Sequence, residues 1–375
     1  MRRRDADAPA VPGTLSSADL LATARSIVAQ QEPSGAIPWF APTDGMPGHV
    51  DAWNHVEAAM ALTVAGLTEP ARRAYEWLRA GQRADGSWPA EWVLGEITEP
   101  GGESNHAAYV AVGVWHELLI TGDTAFTERM WPTVRRAVDF VLGLQTARGE
   151  IIWMRDPDGS AGDHALLTGC SSIYQSLRCA VALGEYLGDP QPDWELGADQ
   201  LGHVVACHQE AFADKSRFSM DWYYPVLGGP VRGPAAALRL AAGWDTFVVN
   251  GLGCRCVSDQ PWVTGAETCE LVMALHALGD PRARELFEMM QHLRHEDGSY
   301  WTGYQFANDR HFPGDRSTYT AAAVILAADT LSGTTPGATI FREIDGSALG
   351  PCAPADPVAC GCEPAPIPTT APSLG

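Results

Sequence analysis

The stretch Trp77-Leu78-Arg79-Ala80-Gly81-Gln82-Arg83-Ala84-Asp85-Gly86-Ser87-Trp88 decides the fold. An apolar-periodic segment runs into a glycine turn, and the turn returns an aromatic residue to the core. Glycine suits that turn because it takes positive φ without a Cβ clash. Looser copies recur elsewhere: Gln31 to Gly35 to Trp39, Phe140 to Gln145 to Gly149 to Trp153, and Leu293 to Asp297-Gly298-Ser299-Tyr300-Trp301. Self-similarity at long period marks a stack of supersecondary units, each burying its apolar face against its neighbours.

Between the copies lie segments 52–66, 105–120, 171–187, 267–278 and 317–331, with apolar residues at i, i+3, i+4 and many small residues. That composition predicts tightly packed inner helices. Counting both kinds gives about twelve helices in roughly six pairs. The expected class is all-α, an (α/α)6 barrel over residues 15–333. Segment 225–263 is rich in Gly and Pro, and 244–249 reads as a strand. Residues 1–14 and 334–375 are rich in Pro, Gly, Ala and Ser without periodicity, and are expected to be a loose leader and tail.

A chain of 375 residues, 46% hydrophobic, buries a large core. No apolar run reaches the roughly 18 residues of a membrane span. Met1-Arg2-Arg3-Arg4-Asp5 lacks the apolar stretch of a secretory signal, so the expected location is cytoplasmic. The net charge of −21 opposes binding to nucleic acid or an anionic membrane, which needs clustered Lys and Arg. A neutral partner is expected. The nine cysteines are an odd, scattered set. Cys254-Arg255-Cys256 and Cys360-Gly361-Cys362 are spaced more closely than usual zinc pairs, so free thiols, no metal and no organic cofactor are expected.

The aromatic-Leu-x3-Gln-x3-Gly-x-Trp pattern of 77–88 resembles the QW repeat of squalene and terpene cyclases and of prenyltransferase-like toroids. That likeness concerns the scaffold, which hosts many chemistries. The Asp-x-Asp-Asp acid of class II cyclases and the zinc constellation of protein prenyltransferases are missing from the sequence.

More of the chain, from about residue 17 to 333, resembles the methylmannose polysaccharide hydrolases, α/α-barrel endo-glycosidases acting on α-1,4-linked 3-O-methylmannose. The likeness rests on Gly48-His49-Val50-Asp51-Ala52-Trp53-Asn54-His55-Val56-Glu57, on Asp221-Trp222-Tyr223-Tyr224-Pro225-Val226-Leu227-Gly228-Gly229, on Trp262-Val263-Thr264-Gly265-Ala266-Glu267 and on Gly298-Ser299-Tyr300-Trp301-Thr302-Gly303. It implies a neutral oligo- or polysaccharide substrate and an inverting acid/base mechanism. By resemblance the chemistry falls on Asp51, position 54 and Glu267, with Glu267 the general acid. The family pattern implies aspartate at 54, where this chain has Asn54. An amide cannot take a proton from water at neutral pH, so activity at that base site is expected to be impaired.

Helix starts offer a competing reading of the same residues. Asp51 is a preferred N-cap, and Thr264-Gly265-Ala266-Glu267 has the spacing of a capping box. Trp53, Trp92, Trp222, Tyr223, Tyr224, Trp262, Trp301 and Tyr304 fall in loops or at helix starts beside polar residues, as sugar-stacking aromatics do. Asn105, His106, Tyr174 and Asp221 are further candidates for touching substrate, with Glu103, Ser171, Asp315, Arg316 and Tyr319 behind them. Trp77, Trp115 and Trp131 sit inside apolar helical patterns and read as core, and His55 as a packed or surface histidine. An isoprenoid cyclase or transferase on the same scaffold, or a non-catalytic glycan-binding toroid, are the rival functions.

Overall fold

The computed structural model describes residues 8–40 and 48–342. Outer helices α1 (Ser17–Gln30), α3 (Thr68–Gly81), α6 (Thr124–Leu142), α8 (Pro192–Cys207), α10 (Gly233–Phe247) and α12 (Arg282–Met289) form one layer. They alternate along the chain with inner helices α2 (Ala52–Val64), α4 (Ser104–Ala108) with α5 (Val110–Thr121), α7 (Leu167–Tyr186), α9 (Ser219–Leu227), α11 (Gly265–Ala277) and α13 (Thr318–Ser332). The inner helices neighbour one another in that order, and α13 closes the ring against α2. This is the expected (α/α)6 barrel.

Burial separates the two layers. Every residue of α2 is buried, so it shows no exposed stripe. By contrast α3 buries Ala71, Ala74, Tyr75 and Leu78, the i, i+3, i+4, i+7 face of a surface helix.

The repeat works as a clasp between outer helices. Gln82 Nε2 donates to Gly86 O within its own turn (3.0 Å) and to Thr133 O of α6 (2.9 Å). Gln31 reaches Gly35 O and Pro70 O of α3 in the same way, and Gln145 reaches Gly149 O and Gly197 O of α8. The fourth copy has no such glutamine, and Thr23 of α1 supplies the bond instead, its hydroxyl donating to Gly298 O at 2.8 Å. Gly86 has φ +94°, and a Cβ there would lie 2.0 Å from Arg136 O, so the turn requires glycine.

Short strands lie at one end of the ring, in the segments that lead into inner helices. They include His49–Val50, Gly102–Glu103 and Trp262–Thr264, the last in a five-stranded antiparallel sheet. Segment 244–249 is mostly not a strand: α10 continues to Phe247, and the strand is Val248–Val249 alone. The described parts of the expected leader and tail are docked. Val11, Ile340 and Phe341 are buried in the core, and Thr335 N donates to Asp329 Oδ1. Burying those apolar side chains outweighs the lack of periodicity around them. Residues 343–375, with Cys352, Cys360 and Cys362, lie outside the described residues. No helix among the described residues is long and apolar enough to cross a membrane, and no described cluster of His, Cys, Asp or Glu suits a metal ion. The six described cysteines are free thiols.

Candidate active site

Alternation of outer and inner helices makes the inner ones run in one direction, so their N-termini open together. A cavity of about 380 Å³ lies there, and all six inner segments contribute to it. Trp53 and Asn54 come from α2, Asn105 and His106 from α4, Thr168 and Ser172 from α7, Tyr224 from α9, Glu267 from α11 and Tyr319 from α13. Trp39, Trp153 and Trp262 add aromatic wall, and Glu103, just before α4, adds a carboxylate. Among the described residues Glu103 and Glu267 are the carboxylates lining this space.

Asp51 caps α2, accepting from Asn54 N at 2.8 Å through Oδ1. Its other oxygen, Oδ2, accepts from Asn54 Nδ2 at 2.5 Å. Asp51 is therefore behind the wall, holding Asn54 at it. Asn54 Oδ1 is buried and has no partner in the protein. A ligand hydroxyl or a water would satisfy it.

The capping-box alternative for Glu267 is not realised. Thr264 makes no side-chain cap bond, and its Oγ1 is buried without a partner. Glu267, also largely buried, stands at the cavity instead. His106 Nε2 lies 3.4 Å from Glu103 Oε2. Burial holds the Glu103 carboxyl above its ordinary range; His106 opposes that shift, and the charges of Asp51 and Glu99 add to it.

Behind Glu267 sits a second carboxylate on the same helix. Glu270 is buried and accepts from three tyrosine hydroxyls: Tyr223, Tyr224 at 2.8 Å and Tyr319 at 2.7 Å. Burial, then the charge of Glu267, pushes Glu270 upward, while the tyrosine bonds oppose the shift. Glu57 is buried near it, raised by burial and then by the charges of Glu270 and Asp51. His55 is a packed histidine, accepting from Ile37 N at Nδ1 and lying 2.9 Å from Ala74 O at Nε2.

The structure brings Trp53, Asn54, Asn105, His106, Tyr224, Trp262 and Glu267 together at one cavity. Other candidates are elsewhere, for identifiable reasons. Trp92 packs edge-on against Trp77, and Trp222 stacks on Phe247 while donating to Arg239 O. Tyr223 is fully buried on Glu270. Tyr174 lies under the Arg178 guanidinium, and Asp221 accepts from the Thr168 hydroxyl at 2.6 Å behind the wall. Trp301 stacks on His311 (centroids 4.5 Å apart), and Tyr304 donates to Asp309. Both are outside the cavity lining.

Sequence reading missed Trp39 and Trp153 as wall residues. Each closes a repeat copy and was read as returning to the core, as Trp88 does. Their place in the segment between a repeat turn and the next inner helix, which begins at Ala52 or Leu167, was the available signal.

No family model matches the chain. The chain is 57% identical to the MMP endo-(1,4)-3-O-methyl-alpha-D-mannosidase of Mycolicibacterium hassiacum over 347 residues, 92% of this chain and 95% of that protein. Among solved structures, a glycosidase variant in complex with glucose superposes with TM-score 0.66 at 15% identity, covering 85% of this chain and 98% of that one. A bacterial glucoamylase complexed with acarbose gives 0.67 at 13% identity, covering 88% and 57%. A D-mannose isomerase gives 0.63 at 13% identity, covering 85% and 98%. At such identities these structures speak to the fold alone, and an isomerase beside hydrolases illustrates why.

Proposed function

We propose, from the premise that this chain belongs to the MMP endo-(1,4)-3-O-methyl-alpha-D-mannosidase family, that it cleaves internal α-1,4 linkages of 3-O-methylmannose polysaccharide with inversion. It is a glycoside hydrolase. The observation that carries the finer reading is the cavity shared by Asn54 and Glu267, walled by tryptophans. Methyl ethers enlarge the apolar surface of a sugar ring, and Trp39, Trp53, Trp153 and Trp262 give the cavity an aromatic wall to match it.

Glu267 is the general acid, giving its proton to the departing glycosidic oxygen. Asn54, clamped by Asp51, presents Oδ1 to a water or a sugar hydroxyl. Inversion requires about 6.5–9.5 Å between the acid and the group acting on the water, enough for that water to stand at the anomeric carbon. Asn54 can orient the water but cannot take its proton, so turnover is slower than with aspartate there. The test is incubation with methylated and unmethylated mannose oligomers, read by mass spectrometry for internal cleavage and by proton NMR for the first-formed anomer. Cleavage of methylated chains to β-anomers is expected. Retention, or no cleavage of any oligomer, overturns the reading.

Asn54 favours one rival, a glycan-binding toroid without turnover. Tight oligomer binding with no product from the unaltered chain or from its Asn54→Asp variant would establish it. The isoprenoid rival fits poorly with a wall carrying Glu103, Asn105, His106 and Glu267.

A further inference from the structure

If Asn54 cannot accept a proton, hydrolysis by this chain needs a base from elsewhere in the cavity. Asp51 is a poor candidate, since both its oxygens already accept from Asn54 and it does not line the cavity. Glu57 and Glu270 are buried and likewise do not line it. Among the described residues that leaves one carboxylate on the wall besides Glu267, and it is Glu103.

Its position in the ring is the decisive feature. Passing from α4–α5 through α7 and α9 to α11 takes three steps in a closed ring of six, so the α4–α5 wall stands opposite the Glu267 helix. Helix axes packed 8–10 Å apart place opposite members of such a ring about 16–20 Å from each other. Two glutamates reaching inward from opposite walls narrow that span toward the about 6.5–9.5 Å of an inverting pair. Asn54 lies on the wall next to Glu103, because α2 neighbours α4–α5. A water held by Asn54 Oδ1 is thus on the Glu103 side of the sugar, away from Glu267.

Glu103 is also uncommitted to structure. It occupies the N-cap position of α4 yet makes no side-chain cap bond. Its neighbour is His106, 3.4 Å away, whose Nδ1 is buried and has no protein partner.

We propose that Glu103 is the general base of this chain, taking the proton of the attacking water that Asn54 orients. Water oxygen bonds to the anomeric carbon, and the bond from that carbon to the glycosidic oxygen breaks with its electron pair going to the oxygen. Glu267 gives that oxygen a proton, Glu103 receives the water's proton, and solvent exchange resets both. His106 is a positioning residue that holds the Glu103 carboxylate. The proposal rests on the inverting-hydrolase reading above.

The experiment uses the full chain with a methylated mannose oligomer. Glu103→Gln is expected to lower kcat by about 10²–10⁴-fold with little change in KM. Sodium azide, a nucleophile that needs no base, is expected to restore turnover and release a β-glycosyl azide. A merely structural role would not respond to azide. In the Asn54→Asp background the same substitution is expected to cost markedly less, since a second carboxylate can then take the proton. Should the Gln variant misfold, Glu103→Ala leaves room for azide and gives the same readout. Full activity of Glu103→Gln, or a loss that azide does not restore in protein that still binds oligomer, overturns the proposal. Activity in Asn54→Asp but none in the unaltered chain overturns it while leaving the hydrolase reading intact. Inactivity of both chains overturns both.

Discussion

Asn54 and Asp51 hold one another at the start of α2: the amide Nδ2 donates to Asp51 Oδ2 at 2.5 Å, and the backbone N of Asn54 donates to Asp51 Oδ1 at 2.8 Å. The pairing settles the direction of the amide, because its nitrogen faces the carboxylate and its oxygen is left without a protein partner. One carboxylate therefore caps a helix and aims a cavity residue together.

Asp51→Ala removes both bonds. Loss of an N-cap costs about 0.5–2 kcal/mol, and freeing the Asn54 amide adds to the effect at the site. Chemical denaturation should show destabilisation of that order, and kcat should fall further than the loss of folded protein accounts for. An unchanged midpoint would remove the capping role.

In a Glu103→Gln chain, Asn54→Asp restores an oxygen able to take a proton, and kcat should rise by roughly 10²–10⁴-fold on methylmannose oligomers; with Glu103 present the gain should be smaller. Glu267→Gln in that background should abolish the gain, since the leaving oxygen would then depart unprotonated. Glu267→Gln is nearly isosteric and should leave the melting temperature unchanged, whereas Asn54→Asp exchanges the amide bond to Asp51 Oδ2 for a second carboxyl beside it and should lower the melting temperature. No gain from Asn54→Asp would argue that position 54 takes no part in the chemistry.

The tryptophans divide by location. Trp262→Ala should weaken oligomer binding by about 1–3 kcal/mol, the order of burying one large side chain. Trp301→Ala, away from the cavity lining and stacked on His311, should leave affinity unchanged. Calorimetric titration of both variants checks the contrast, and equal losses would move the cleft.

Stability should carry a signature of Glu57. Burial, then the charges of Glu270 and Asp51, raise its folded pKa well above the ordinary 4.5. Below 4.5 both folded and unfolded chains hold this proton. As pH rises past that value the unfolded chain releases it first, so folding loses stability until the folded pKa is passed. His55 and His116 act oppositely, being lowered by burial to about 4 and about 3, and so oppose folding below their ordinary 6.5. The difference between the unaltered chain and Glu57→Gln isolates the glutamate. Across pH 5 to 8 the unaltered chain should lose stability relative to the variant, measured as the change in melting temperature.

The barrel was legible in the sequence because its determinants are local. A glutamine, a glycine at positive φ and an aromatic within a dozen residues specify three of the four clasps, and the amphipathic stripe of α3 specifies an outer helix. The meeting of Asn54 with Glu267 was legible through motifs at two inner-helix starts. Which tryptophans face the cavity was not. The inner helices are buried on nearly every side, so their sequences carry no period to say which side chain points inward. Trp53 and Trp222 are the second and fourth residues of their helices, both in the first turn, yet one lines the cavity and the other stacks on Phe247. Closure of the ring also set Glu103 opposite Glu267 and gathered Tyr223, Tyr224 and Tyr319 around Glu270. Those relationships join residues 46 to 164 positions apart, from Tyr224–Glu270 to Glu103–Glu267. The sequence by itself determined the repeating unit; the rotation of each buried helix, and with it the chemistry facing the cavity, was decided only when the ring closed.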